Sequence, residues 1–464
     1  MTQNSKHLKD DIDERPGDTA GVDAETVGHF VELVEVGARD GLIVAMEDLH
    51  PADMADVFEQ MPPHVFKQAV KLLRDQLPAD MIAELSEDLR AGVLDELSDQ
   101  IVADVLEDLD SDDAVLLAAD LEDDRQERVF EQINASDRAA IETSLNFDEE
   151  TAGRLMQRDF VAAPEFWTVG QAIDHMRSAE DLPEPFFEVY LVDPAFRLTG
   201  VVPLSVLIRA SRTTPLKELG VELSAAVKPE MDQEEVAYLF QQYNLASAPV
   251  VDEGGRLTGM ITVDDMVDVI QEENKEDLLA LSGVNDGGSY QTVWDAVLSR
   301  APWLGVNLFT AFLASGAISF FEDTLSQIIA LAVLMPVVAA LGGNAGSQAL
   351  AVTVRAIAER DMMGARAGQA VRRELFTAVL NGIIFSIGVG LIALIWFNDP
   401  RLAGVISIAM FCTFIWAGLA GVLVPLTLQK LGADPAVASS VFVLTSVDIV
   451  GFCAFLGLAT IVLL

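Results

Sequence analysis

Charge and apolarity are segregated along this chain, and the segregation decides what it can fold into. Its 464 residues carry 29 basic and 73 acidic side chains, a formal net charge of −44, yet 51% of them are hydrophobic. Residues 291–464 contain only 8 basic and 9 acidic side chains, which leaves 21 and 64, a net −43, for residues 1–290. One core cannot absorb both halves. The sequence therefore predicts an acidic, water-facing head and an almost neutral apolar tail.

The head excludes some partners and favours others. Nucleic acid binds proteins largely through Lys and Arg on its phosphates, so a head at −43 repels it. Anionic lipid headgroups are repelled for the same reason. Multivalent cations are the natural counterparts of so many carboxylates. Cys412 and Cys453 both sit in apolar runs, without metal-ligand spacing or a disulfide framework, and read as packing residues. The first residues, MTQNSKHLKDDIDERPGD, lack the apolar stretch of a cleaved signal peptide, so the head is expected to stay in the cytoplasm. The five histidines (7, 29, 50, 64, 175) are scattered with no HExxH pair or visible nucleophile–base pair, and no enzyme is expected.

From Pro302 onward five segments each approach or exceed the ~20 apolar residues that cross a bilayer: Pro302–Phe321, Leu325–Ala358, Leu375–Phe397, Leu402–Leu428 and Ala436–Leu464. The loop after the second contains Arg360, Arg366, Arg372 and Arg373, with Arg355 just before it, and Lys430 follows the fourth. The opposite loops hold one basic residue, Arg401. Positive charge marks the cytoplasmic side, which puts the N-terminus inside and the C-terminus outside. Trp303 and Trp396 lie near span ends, where indoles anchor at lipid headgroups.

Two features of the tail carry a cost in hydrocarbon. The second segment is too long and holds Pro336, Gly342, Gly343, Asn344, Gly346, Ser347 and Gln348, so a broken or strongly kinked helix is expected, lining a polar pathway. Gly342 and Gly346 also have the GxxxG spacing of a packing seam, and both readings can hold together. The second feature is Asp448, the only acid well inside a span. An ionised carboxylate at the bilayer centre costs about 2.5–3.5 kcal/mol on the lenient scale, and no other span holds a basic residue away from its end to pair with it. A site that meets hydrated cations accounts for it better than a buried ion pair. Asp434, at the cytoplasmic end of the same span, fits a structural or a functional role equally well.

The head divides into three parts. Residues 1–25 are polar, with the composition of disorder. Residues 26–150 read as short amphipathic helices at steps of about 11–15 residues, which must stack to bury their apolar faces, as in a helical solenoid. Residues 151–272 contain a duplication: Val192-Asp193 to Arg197-Leu-Thr-Gly200 recurs as Val251-Asp252 to Arg256-Leu-Thr-Gly259, offset by 59 residues. Each copy reads strand, turn, strand, helix, and resembles a CBS domain. Neither copy has a glycine-rich phosphate loop. After the second copy, Asp265, Asp268, Glu272 and Glu276 share one face of a helix. Such a stripe is self-repelling, since two charges about 4 Å apart repel by about 4 kcal/mol at an effective dielectric near 20. A solvated face is the ordinary reading of a charge run, but this stripe lies between a sensor-like module and the membrane, where bound cations would be useful.

In this order the parts resemble the MgtE family of bacterial magnesium channels, and the resemblance covers essentially the whole chain after residue 25. Its most specific stretches are MPVVAALGGNAGSQALAVTVRAI (Met335–Ile357), RAPWLGVN (Arg300–Asn307), and the LGADPAVASS and TSVDIVGF runs between Leu431 and Phe452. It implies a multidomain membrane protein: an all-α superhelical acidic N-domain (26–150), an α/β CBS pair (151–212 and 213–272), a connecting helix (273–300) and a five-helix transmembrane domain (301–464). It also implies a homodimer in bacterial inner-membrane lipid, with a pore on its axis lined by the second and fifth spans. Asp448 then matches the pore aspartate, and Gly343, Asn344, Ser347, Ser440 and Leu444 match pore-lining positions; Ser440 stands where Asn is frequent. Regulatory Mg²⁺ ligands fall on Asp232, Glu234, Asp265, Asp268, Glu273, Glu276 and Asp277, with Asp434 at the cytoplasmic mouth. In the N-domain Asp112 and Asp113 are assigned to the same role, while Asn244 replaces one family acid. Mg²⁺ is implied as permeant and regulatory ion, and ATP as a ligand the CBS pair could hold. The expected activity is a Mg²⁺ channel shut by cytosolic Mg²⁺; a Mg²⁺/H⁺ or Mg²⁺/Na⁺ coupled transporter, or a tethered sensor that conducts nothing, are the rivals.

Overall fold

Short helices need explicit starts and a shared core, and the N-domain supplies both. In the computed structural model, which describes residues 22–179, 182–183, 186–221, 226–281, 293–358, 365–432 and 435–464, ten α-helices run from Ala24–Val36 to Ala135–Leu145, none longer than 13 residues. Helices this short are marginal in isolation. Asp23 and Asn134 cap first turns with side-chain oxygens, Pro51 and Pro63 open two more, and Gly37 in the left-handed region (φ 73°) closes the first. The caps satisfy backbone groups that a helix end leaves open. Phe30, Phe58, Leu73, Met81, Leu94, Leu106 and Leu117 are buried in one continuous core. Most acids lie on the outside, where Arg39, Arg128 and Arg138 pair with some of them, while Arg90 pairs with Asp120 in a buried setting and Arg125 with Asp99 in a partly buried one.

The 59-residue repeat appears as two matched sheets. Strand β1 (Ala162–Pro164) lies parallel to β2 (Glu188–Val192), which pairs antiparallel with β3 (Leu198–Pro203). Strand β4 (Ser247–Val251) pairs antiparallel with β5 (Leu257–Thr262). The registers match repeat for repeat: Val192 faces Leu198 and Val251 faces Leu257, each after a shift at the equivalent position. Equivalent residues also meet each other. Arg197 bridges Arg256, Leu198 N–H donates to Gly255 O at 3.0 Å, and Leu257 N–H donates to Phe196 O at 3.1 Å. Ser247 donates to Glu188, its counterpart 59 residues earlier, at 3.3 Å. The duplication is therefore a local two-fold arrangement of two α/β modules.

By contacts the chain divides into two units, Met1–Gln271 and Glu272–Leu464. The helix that bears the acidic stripe spans Val263–Leu281, so it starts directly at the end of β5 and ten residues before the expected boundary at 273. Among the described residues, the second unit contains five helices long and apolar enough to cross a membrane, at Ala296–Ser319, Ile329–Ile357, Gly368–Phe397, Pro400–Lys430 and Ser440–Leu463. Pro302 lies inside the first of them.

Of the two forms expected of the second span, broken or strongly kinked, the break is not where the glycines are. Helix runs without interruption from Ile329 to Ala358, through Pro336 and the Gly342–Gln348 stretch. The chain breaks earlier, at Ile328, after a separate short helix, Glu322–Gln327, and the helix that follows is still 30 residues long. The glycines serve close packing instead. A Cβ on Gly342 would stand 2.6 Å from Thr413 Cγ2 and 3.0 Å from Val447 Cγ1, and one on Gly421 would stand 2.6 Å from Ala349 Cβ. On Gly346 it would meet Val443 Cγ1 at 3.1 Å. These residues let the second, fourth and fifth spans approach as small-residue seams do. Gly342→Val is expected to destabilise the membrane domain by about 1–3 kcal/mol through overpacking. Gly305→Ala, inside a helix with nothing within 4 Å of the added Cβ, should be neutral or stabilising by up to about 1 kcal/mol; thermal unfolding of both variants in detergent checks the contrast.

Candidate metal centre

Two helix starts in the first unit bring acids together. Asp112 and Asp113 lie in the first turn of the Ser111–Ala119 helix, and Asp265 in the first turn of Val263–Leu281. A helix N-terminus favours negative charge, which makes each placement tolerable alone. Together they are not comfortable, because the Asp112 and Asp265 carboxyls stand within hydrogen-bonding reach of one another. Two carboxylates cannot both accept without a proton or a cation between them.

The surroundings fix the pair without neutralising it. Gln157 donates its side-chain amide to Asp112 Oδ2 at 3.1 Å. Thr262 donates its hydroxyl to Asp265 Oδ2 at 2.6 Å and its N–H to the same oxygen at 3.2 Å. Asp112 Oδ1 is shut off from solvent and receives no hydrogen bond. Burial, then the charges of Asp265 and Asp113, hold the Asp112 carboxyl well above the usual range. Burial first, then Asp265, Asp110, Glu84 and Asp80, push Asp113 up to about 7. Burial lifts Asp265 to about 6 against the pull of the Thr262 bonds. Burial and Asp268 raise Glu84, burial and Asp264 raise Asp268, and burial, Asp159 and Asp80 raise Asp110.

This arrangement fits a hard cation with few protein ligands. Among the described residues no three carboxylates converge at metal-ligand spacing; the convergence is a pair inside a wider acidic field. Mg²⁺ keeps several waters and is held by one or two carboxylates at about 2.0–2.1 Å, and an orphaned buried Oδ1 is the donor such an ion lacks. The sequence had singled out Asp112, Asp113, Asp265 and Asp268. It missed Asp80 and Glu84, which the packing of the N-domain's own helices brings to Asp113, and Asp110, two residues before Asp112. It missed Gln157 because only folding of the N-domain onto the CBS pair brings it to Asp112, while Thr262, three residues before Asp265, was a legible cap.

The other assigned residues are placed differently. Asp232 is exposed and caps the Gln233–Tyr243 helix, accepting from Glu234 N at 2.9 Å, and Glu234 is exposed in its first turn. Asn244 ends that helix at φ 52°, a left-handed position that Asn tolerates well. Glu273 and Glu276 lie further along Val263–Leu281. Asp434, Arg360 and the side chain of Asp277 fall outside the described residues.

In the membrane unit Asp448 is half-buried on the fifth span, and its carboxylate accepts no hydrogen bond among the described residues. The preceding Val447 and Val443 are buried against Gly342 and Gly346 of the second span, and Leu444 meets Gly343. On the second span Asn344, Ser347 and Gln348 are exposed while Gly342, Gly343 and Gly346 are buried. Ser440 lies in the first turns of the fifth-span helix. The span thus presents small residues inward and amides and a hydroxyl outward.

The raised carboxyls have a consequence for stability. An acid whose pKa is higher folded than unfolded favours the folded state at low pH, and that advantage is lost as pH rises from the unfolded value through the folded one. For Asp113 and Asp265 the window runs from about 4 to about 6–7. Without divalent cations the head should unfold at a lower temperature at pH 7.5 than at pH 5. The double variant Asp113→Asn, Asp265→Asn should flatten that slope, read by thermal unfolding in EDTA.

The comparisons with known proteins agree with this architecture. Residues 335–458 match the MgtE family model, described as a divalent cation transporter, residues 49–150 the MgtE intracellular N domain, and residues 224–272 a CBS domain. The magnesium transporter MgtE of Bacillus subtilis is 30% identical over 440 residues, covering 94% of this chain and 98% of that protein. The magnesium transporter MgtE of Thermus thermophilus is 31% identical, covering 93% of this chain and 97% of that protein. A solved cytosolic domain of the Mg²⁺ channel MgtE in complex with ATP is 31% identical and aligns over 52% of this chain and 99% of its own, with a TM-score of 0.49. With full-length relatives at this identity and family models matching head and membrane domain alike, the chain is a multi-pass membrane protein that belongs to the MgtE family.

Proposed function

We propose that the protein is a Mg²⁺ channel of the bacterial inner membrane, working as a homodimer and closed by cytosolic Mg²⁺ that binds its acidic head. The head lies in the cytoplasm and the C-terminus outside, as the arginine-rich loops require. Transport of Mg²⁺ is what the full-length relatives are named for. The observation that carries the gating reading is the Asp112–Asp265 pair, with an orphaned oxygen and raised carboxyls on two helix starts.

The mechanism follows from charge. Without cation, N-domain and CBS acids repel, and the loosened arrangement is favoured. Mg²⁺ bridges them and favours the compact state, to the extent that it binds that state more tightly. A swing from 1:99 to 99:1 needs about 10⁴-fold differential affinity, or about 5.5 kcal/mol. That is a large demand for one hydrated ion, so several ions share it, and Asp232, Glu234, Asp268, Glu273, Glu276, Asp277 and Asp434 are the further acids we assign to them.

In the membrane, the outward face of Asn344, Ser347 and Gln348 would cost free energy against lipid tails. A second copy facing it across a two-fold axis converts that face into the wall of a water-filled path. Two Asp448 carboxylates then hold a largely hydrated Mg²⁺ on the axis, with Gly343, Asn344, Ser347, Ser440 and Leu444 lining the way. An adenine nucleotide in the CBS pair is a further element of this proposal, a ligand such pairs accommodate.

Single-channel current from purified protein in a bilayer tests the reading. Current should flow at micromolar cytoplasmic Mg²⁺ and fall as it is raised to the millimolar range. Asp448→Ala should abolish conduction, and Asp112→Asn with Asp265→Asn should raise the half-inhibiting Mg²⁺ about tenfold or more. Silence at every concentration, with Mg²⁺ uptake into vesicles that follows a H⁺ or Na⁺ gradient, would mean coupled transport instead.

A further inference from the structure

The two acids of the head centre are oriented by the same small piece of structure. Gln157 lies in the segment joining the N-domain to the CBS pair, and its backbone is locked to β5: Gln157 N–H donates to Met260 O at 2.7 Å and Met260 N–H donates to Gln157 O at 2.8 Å. The approach is close enough that a Cβ on Gly259 would lie 2.7 Å from Gln157 O. Thr262 stands two residues beyond Met260 on the same strand, and alternate residues share a face. From this one element the Gln157 amide reaches the N-domain's Asp112 at 3.1 Å, and the Thr262 hydroxyl reaches Asp265 at 2.6 Å. Both bonds end on an Oδ2. For Asp112 the remaining oxygen is buried with no donor.

We propose that Gln157 and Thr262 are positioning residues for the regulatory cation: each occupies one oxygen of one carboxylate, so that each acid is held in a set orientation, and Asp112 offers a free oxygen, before any ion arrives. This rests on the metal-centre reading above. Neither side chain is assigned as a ligand. Their effect is preorganisation, since a carboxylate already held in one rotamer loses less freedom when it binds. Outer partners of metal ligands typically contribute 10–100-fold in affinity. Because both donors ride on β5 and its paired linker, the second CBS copy organises not only its own acid but also the one the N-domain contributes.

Near-isosteric variants separate positioning from packing. Thr262 is buried, so Thr262→Val keeps its volume and removes the hydroxyl, whereas Thr262→Ser keeps the hydroxyl. Gln157→Met keeps length and removes the amide. In full-length protein in bilayers, with each variant normalised to its own current at micromolar Mg²⁺, Gln157→Met and Thr262→Val should each raise the half-inhibiting Mg²⁺ about tenfold or more, and Thr262→Ser should restore the wild-type value. Gln157→Met should add nothing in an Asp112→Asn background, as expected for residues acting through one group. A variant that passes no current is read by the Mg²⁺ concentration that protects the full chain from trypsin, where the same shift is expected. If Gln157→Met and Thr262→Val leave both readouts unchanged while Asp112→Asn and Asp265→Asn shift them, the positioning role is wrong and the metal centre stands. If none of the four variants shifts either readout, the centre itself is wrong and the positioning role goes with it.

Discussion

Repulsion between carboxylates held at close quarters organises the head. Asp112 and Asp265 meet within hydrogen-bonding reach, and Asp113, Asp110 and Glu84 stand in the same field. The shifts of these groups come from burial and from neighbouring acids, opposed at Asp112 by the Gln157 amide and at Asp265 by Thr262. Elsewhere in the N-domain the fold handles acids differently, pairing Asp99 with Arg125 and Arg128, and Asp120 with Arg90. Arginine pairs the carboxylates that serve architecture, while at the joint Arg158 donates to the Ser144 hydroxyl and not to the Asp112–Asp265 pair. Carboxylates left unneutralised in this way are stabilised by protons or by cations.

Much of this was visible in the residues, and where it was not the reason is specific. The 59-residue offset carried over into the fold down to the register, because strand pairing has a period of two and a bulge at the same repeat position keeps each apolar set inward. The apolar spans were legible because a helix in hydrocarbon must satisfy its backbone internally, a demand that composition alone reveals. Both acids of the candidate pair were named from the sequence, Asp265 on a stripe that declares itself and Asp112 through the resemblance, but their meeting was not legible. Asp112 and Gln157 become neighbours of Asp265 through tertiary contacts that no local pattern encodes.

The second span shows a local rule giving way to packing. Pro336 and three glycines argue for a break, yet the helix is continuous. Tight neighbours decide it: Thr413, Val447 and Val443 fill the space that side chains at Gly342 and Gly346 would need. Glycine here is an interface residue, and its weak helix propensity is offset by contacts that only a missing Cβ permits. The actual break at Ile328 carries no Gly or Pro and was invisible to propensity.

That continuity matters for the acid in the membrane. With Gly342 and Gly346 buried against Val447 and Val443, the second and fifth spans are locked at the level of Asp448, and Asn344, Ser347 and Gln348 are turned to the opposite face. Spacing 3.6 residues per turn separates the two sets: residues 342 and 346 fall on one side, and 344, 347 and 348 on others. A broken helix would let those polar groups swing, and their exposure would vary with every fluctuation. A continuous one presents them at a set height and angle, which the proposed path for a strongly hydrated ion would need, because such an ion is guided by groups that contact its waters and do not strip them. The same small residues that let the spans pack thus aim the polar face outward.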